Sequence, residues 1–251
     1  MPNAMNSTTP LPLLEEEVRI TTPDGQCDAF VAAPATGRHP AVLIWPDIFG
    51  LRTTYRNMAR KLASSGYLVL VVNPFYRELK APTAPAGTAT PMDVVRAQNA
   101  RLTPTMQFVD AASLTSWLRA HSSVDTGRKM GVCGYCMGGS PAIRTAAAAS
   151  DHIGALGIFH GGGLVTPGDD SPHLLIERLK ASTLVAIAQN DDEAEPHAKH
   201  ALRKAFDDAQ LHAEIEVYPA AHGWCPPDMR AHNAEQSERA WVRWLEHLAT
   251  L

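Results

Sequence analysis

Lys129-Met130-Gly131-Val132-Cys133-Gly134-Tyr135-Cys136-Met137-Gly138-Gly139 is the stretch on which the fold turns. An apolar run at Lys129–Cys133 reads as a strand, and periodic residues from Gly139 to Ala149 read as a helix. Cys136 stands on the short turn between them. Small residues two before and two after it let the strand and helix backbones come close together.

The same alternation extends in both directions. Upstream, Val18–Thr22 and Cys27–Ala32 flank Pro23-Asp24-Gly25 and read as a hairpin, since Asp-Gly is a strong turn signal. Ala41–Trp45 and Tyr67–Val72 are continuous apolar runs of the kind found in strands buried on both faces, with a helix at 53–65 between them. Glu78–Asp93 is rich in Pro, Ala, Gly and Thr and reads as a surface excursion, followed by a helix at 104–121 opened by Pro104. Downstream come strands at Ala155–Phe159, Thr183–Ala188 and Ala213–Tyr218, and helices at Pro196–Ala209 and Asn233–Leu248. The order predicts an α/β fold: a mostly parallel central sheet, helices on both faces and an N-terminal antiparallel hairpin. Residues 1–13, with three prolines, are expected to form a flexible arm, and 14–251 one domain without internal repeats.

Composition narrows the function classes. Twenty-two Lys and Arg against 26 Asp and Glu give a net charge of −4, with no basic block to meet nucleic acid. No apolar run has the length to span a bilayer, and the N-terminus lacks a basic segment followed by an apolar one, so a cytoplasmic protein is expected. The four cysteines are too sparse for a disulfide framework. Cys133 and Cys136 have the C-x-x-C spacing of a redox pair or half a zinc site, yet Cys133 ends an apolar run, where a cysteine is more often a small buried hydrophobe.

Strand, G-x-C-x-G-G turn and helix make the context of a nucleophile elbow, with sulfur in place of the usual hydroxyl, and predict the α/β-hydrolase fold. At a helix N-terminus, Cys136 would be favoured as thiolate. The bland alternative is a glycine-rich turn holding a buried cysteine. In this architecture an acid and then a base follow the nucleophile, each beyond a later strand. Gln189-Asn190-Asp191-Asp192 follows one such strand and Pro219-Ala220-Ala221-His222-Gly223 the next, giving the order Cys136, Asp191, His222. A thiol needs an imidazole to take its proton, and the imidazole a carboxylate to fix its tautomer.

The backbone N–H groups of Ile48 and Met137 are the expected oxyanion donors, Ile48 lying in the loop after Ala41–Trp45. Asp47 either accepts the thiol's proton or caps the helix that begins near Thr53. Among eleven histidines, His160 stands at a strand end in Phe159-His160-Gly161-Gly162-Gly163 and is read as pocket wall, because the similar oxyanion motif of lipases precedes the nucleophile. Phe49, Tyr76 and Trp224 would line an apolar pocket mouth, or belong to the core.

These residues resemble the dienelactone hydrolase, or carboxymethylenebutenolidase, family. The resemblance runs from about Val18 onward through Asp47-Ile48-Phe49-Gly50, Asn73-Pro74-Phe75-Tyr76-Arg77, the Cys136 turn, the Asp191 region and Tyr218-Pro219-Ala220-Ala221-His222-Gly223. It implies nucleophile, orienting and base roles for Cys136, Asp191 and His222. Asp47 stands where the family usually has a glutamate that holds the resting thiol. Arg77 would be one of two arginines that clamp a substrate carboxylate, whereas the second, a few residues after the histidine, is missing. Counting from the strand end selects Asp191 as the acid; counting back from Pro196, as in the family's D-x-x-x-P, selects Asp192.

The expected activity is hydrolysis of a lactone or activated ester through a thioester, on a small-molecule substrate and without metal or organic cofactor. The alternative is a catalytically silent relative that uses the same pocket to hold a small ligand. A third reading is a thiol redox protein using Cys133 and Cys136.

Overall fold

A computed structural model describes residues 12–251. Its elements in chain order are β1 (Leu13–Thr22), β2 (Gly25–Pro34), β3 (Ala41–Trp45), α1 (Thr53–Ala63), β4 (Leu68–Val72), α2 (Met92–Asn99), α3 (Pro104–Ala120), β5 (Met130–Tyr135), α4 (Gly139–Ala148), β6 (Ile153–Phe159), β7 (Ser182–Ala188), α5 (Gln189–Ala194), α6 (Pro196–Asp208), β8 (Ala213–Tyr218) and α7 (Ala234–Leu248). The strands form one sheet in the order β1-β2-β4-β3-β5-β6-β7-β8. β1 and β2 pair antiparallel, β2 meets β4 antiparallel, and the ladders from β4 to β8 are parallel. This is the α/β-hydrolase fold, with the antiparallel entry that the hairpin turn predicts.

The apolar runs become the inner strands because both faces of the sheet are covered. Every residue of β3, β4 and β5 is buried. One core layer joins the sheet to α3, α4 and α6 through residues such as Leu43, Leu114, Ile143 and Phe206. The other joins it to α1 and α7 through Ile44, Tyr55, Leu62, Trp244 and Leu248. Thr103 caps α3, its hydroxyl accepting the Met106 N–H, and Asn233 caps α7 by accepting that of Gln236.

The structure departs from the sequence reading at the ends of several strands and in two added helices. Leu13, assigned to the arm, opens β1, while the arm's residues 1–11 lie outside the described residues. α2 begins at the end of the surface excursion and runs on to Asn99, and the segment after β7 contains α5. α2 buries only Val95 and α5 buries no residue, so neither carries the apolar periodicity by which a helix is recognised. Among the described residues, no helix is long and apolar enough to cross a membrane.

Candidate active site

β5 runs two residues further than the apolar run suggests, through Gly134 and Tyr135, and delivers the chain directly into Cys136. Cys136 has φ of 55°, in the left-handed region that a residue with a side chain rarely occupies. The two flanking glycines make the turn possible. A Cβ on Gly134 would lie 1.9 Å from the Gly138 carbonyl oxygen, and one on Gly138 would lie 2.4 Å from that of Trp45. The second approach also brings the end of β3, and so the loop carrying Ile48, against the turn that carries Cys136.

Ile48, Met137 and Cys136 meet in one apolar cluster with Phe75 and Leu102. Among the described residues, the backbone N–H of Ile48 makes no turn or loop hydrogen bond, and Ile48 packs in the same cluster as the half-buried Cys136.

On the other side of Cys136, the loop after β8 brings in His222, whose Nδ1 lies 2.6 Å from Asp191 Oδ2. Asp191 sits in the first turn of α5 at the end of β7. Asp192 turns away and accepts from Lys199 at 2.8 Å, so the residue counted from the strand end is the one that meets the histidine. The ordering of this corner has a member that sequence reasoning missed: Asn190 Oδ1 accepts the His222 backbone N–H at 2.7 Å. A polar side chain just before the acid was the available signal. His222 is partly buried, which disfavours its charged form, but the hydrogen bond to Asp191 and contact with the Cys136 sulfur outweigh that and push its pKa up to about 10.

His160 lies beneath His222. It is fully buried, has φ of 41°, and sets its ring edge-on to His222 at 5.1 Å and to Trp224 at 5.0 Å. Burial, and then the neighbouring His222, hold its pKa well below the usual histidine value, so it is a neutral ring. Neither of its ring nitrogens has a hydrogen-bond partner among the described residues.

Several expected substrate contacts are occupied elsewhere. The Asp47 carboxylate takes neither of the two roles considered for it. Arg52 grips it through Nη1 at 2.6 Å and Nη2 at 2.9 Å, and it accepts the Phe49 N–H, while α1 has no side-chain cap. Arg52 also bonds Asp228 through Nε at 2.6 Å and Nη2 at 2.9 Å. Phe49 is buried against Ala84 and Val95 under the excursion. The Tyr76 hydroxyl lies 2.7 Å from both Thr22 Oγ1 and Asp110 Oδ1 inside the core. Arg77 is bound by Asp24 at 2.6 Å and Asp110 at 2.8 Å. Trp224 is fully buried and stacks on Tyr218. Each has a partner within the fold; for Tyr76 and Arg77 that partner, Asp110, is more than thirty residues away in sequence.

Cys133 is fully buried within β5, and burial drives its thiol pKa far up, against the redox reading of the C-x-x-C pair. Among the described residues, no three His, Cys, Asp or Glu side chains gather into a cluster that could hold a metal ion.

Residues 27–251 match the model of the dienelactone hydrolase family. The chain belongs to that family. Two relatives share the name "Putative carboxymethylenebutenolidase". The one from Methylorubrum extorquens is 27% identical over 92% of this chain and 79% of its own length. The one from Synechocystis sp. is 25% identical over 90% of this chain and 92% of its own. A crystal structure described as a "Putative Dienelactone Hydrolase", from Klebsiella pneumoniae, superposes with a TM-score of 0.84 at 22% identity, covering 96% of this chain and all 100% of the other. At that identity the superposition speaks for the fold. In this dienelactone hydrolase family member the Asp47 carboxylate is turned to Arg52.

Proposed function

We propose that the protein hydrolyses a lactone or activated ester by a Cys136-His222-Asp191 triad through a thioester. The observation that carries the reading is that His222 is bonded to Asp191 through Nδ1, while Cys136, near enough to raise the His222 pKa, stands at the apex of the strained turn. Asp191 fixes which ring nitrogen is free, and that nitrogen takes the proton of Cys136 Sγ. The sulfur forms a bond to the carbonyl carbon, and the carbonyl oxygen becomes an oxyanion received by the Ile48 and Met137 N–H groups. As the carbonyl re-forms, the C–O bond to the leaving alkoxide breaks and the imidazolium gives its proton to that oxygen.

Acylation also resets the base. Once the sulfur is in a thioester it has no proton or charge to share with His222, so the imidazole is free to act as a base on water. The freed imidazole then takes a proton from water, whose oxygen attacks the thioester and releases the acid and the thiol. The four cysteines are unpaired, in keeping with a reducing compartment such as the cytoplasm.

The test is a panel of lactones and p-nitrophenyl esters presented to the wild-type chain, Cys136→Ala and His222→Asn. Turnover by wild type and its loss in both variants is the expected result. Undiminished turnover by Cys136→Ala would end the mechanism.

A further inference from the structure

A cavity opens near the Cys136 turn; Phe75, Leu79, Leu102 and Met106 give it an apolar side, and Arg77, Glu78, Gln98 and Arg101 also line it. The four apolar side chains are the same ones that pack with Cys136, Met137 and Ile48, so the cavity wall is continuous with the surroundings of the sulfur. It is built by the segments between β4 and α3 and by the first turn of α3 rather than by the sheet.

The charges around it are already paired, firmly at Arg77 and loosely at the exposed Arg101–Glu78 pair. Arg77 is bound to both Asp24 and Asp110, and Arg101 to Glu78, so two guanidiniums face three carboxylates. Across the site, Arg52 lies between Asp47 and Asp228, one guanidinium with two carboxylates. On the Asp191 side, Asp192, Glu193 and Glu195 follow in sequence, and Lys199 is bonded to Asp192. An incoming carboxylate would find no unpaired cation on any of these walls. It would have to leave water for an apolar surface backed by an excess of negative charge, which is strongly unfavourable.

Building on the thioester reading, we infer that the acyl group entering this cavity is uncharged and apolar, and that Leu102 and Met106 set its preference. A linear or ring-bearing hydrocarbon chain replaces cavity water and gains contact with Phe75 and Leu102, whereas an ω-carboxylate of equal length does not.

The experiment compares p-nitrophenyl hexanoate with the mono-p-nitrophenyl ester of hexanedioic acid, which differs by a terminal carboxylate. Both are assayed with the wild-type chain, Cys136→Ala, Leu102→Arg and Met106→Arg. The expected result is a kcat/KM for the hexanoate at least about tenfold above that for the acidic ester, the scale set by one unfavourable group in an apolar pocket. Either arginine variant should narrow that ratio about tenfold, and the second serves if the first does not fold. Equal or better Cys136-dependent turnover of the acidic ester would overturn the inference while leaving the thioester reading intact. Failure of both esters to turn over in a Cys136-dependent way would overturn the two together.

Discussion

Arg52 Nε lies 2.6 Å from Asp228 Oδ2, joining residues 176 apart in sequence. Its other nitrogens hold Asp47, next to Ile48, while Asp228 lies six residues beyond His222 on the same loop. One guanidinium thus ties the loop of the proposed oxyanion donor to the loop of the proposed base. It is buried over the Tyr55 ring, 4.9 Å from its centre.

Removing that guanidinium leaves the almost fully buried Asp47 carboxylate without its partner. Arg52→Ala is expected to lower stability by about 3–5 kcal/mol, the usual cost of breaking a buried pair from one side. Asp228→Asn should cost less, because the Asp228 carboxylate is one-third exposed. Urea denaturation of the three proteins checks the order; an Arg52→Ala chain as stable as wild type would contradict it.

The Asp191–His222 bond predicts a pH signature. In the unfolded chain a histidine titrates near 6.5, whereas in the fold His222 is held up to about 10. A raised pKa adds stability that is complete below the unfolded value, fades as the pH climbs, and is gone above the folded one. The stability difference between wild type and Asp191→Asn should therefore be largest near about pH 6 and shrink toward about pH 10. The same variant should lose between about 10²- and 10⁴-fold in kcat, since the imidazole loses its orienting carboxylate. Denaturation across that pH range and ester kinetics read the two effects separately.

His160 gives the opposite sign. Its folded pKa lies below the unfolded value, so the fold favours the neutral ring and loses stability as the pH falls below about 6.5. His160→Phe removes a buried ring whose nitrogens are unpaired and keeps the aromatic contact with His222 and Trp224. Relative to wild type, the variant should gain stability as the pH is lowered. A difference independent of pH in parallel urea titrations would show that His160 is not the group responsible.

The sheet was legible because strands buried on both faces have few sequences open to them. Ala41–Trp45 is bounded to the residue by its apolar run, and the edge strand Ala213–Tyr218 by its alternation of apolar and acidic residues. The positions of Cys136, Asp191 and His222 were legible for a related reason, since each lies within a few residues of a strand end and the sheet fixes where a strand ends. What stayed hidden depends on pairing across the fold. Arg52 occupies the N-cap of α1, a place that favours an acceptor and disfavours a cation, and that mismatch was the trace it left in the sequence. Tyr76 and Arg77 follow a strand as the catalytic candidates do, but Asp110, on α3, takes both. No local pattern encodes that partner.

The central claim is that Cys136 becomes acylated, and rapid quenching of the wild-type chain with an activated ester, followed by intact and peptide mass measurement, tests it most directly. The expected result is one added acyl group, located on the peptide containing Cys136, absent from Cys136→Ala and longer-lived in His222→Asn if it forms there. Ester turnover with no adduct on Cys136, or an adduct on another residue that Cys136→Ala retains, would contradict the account.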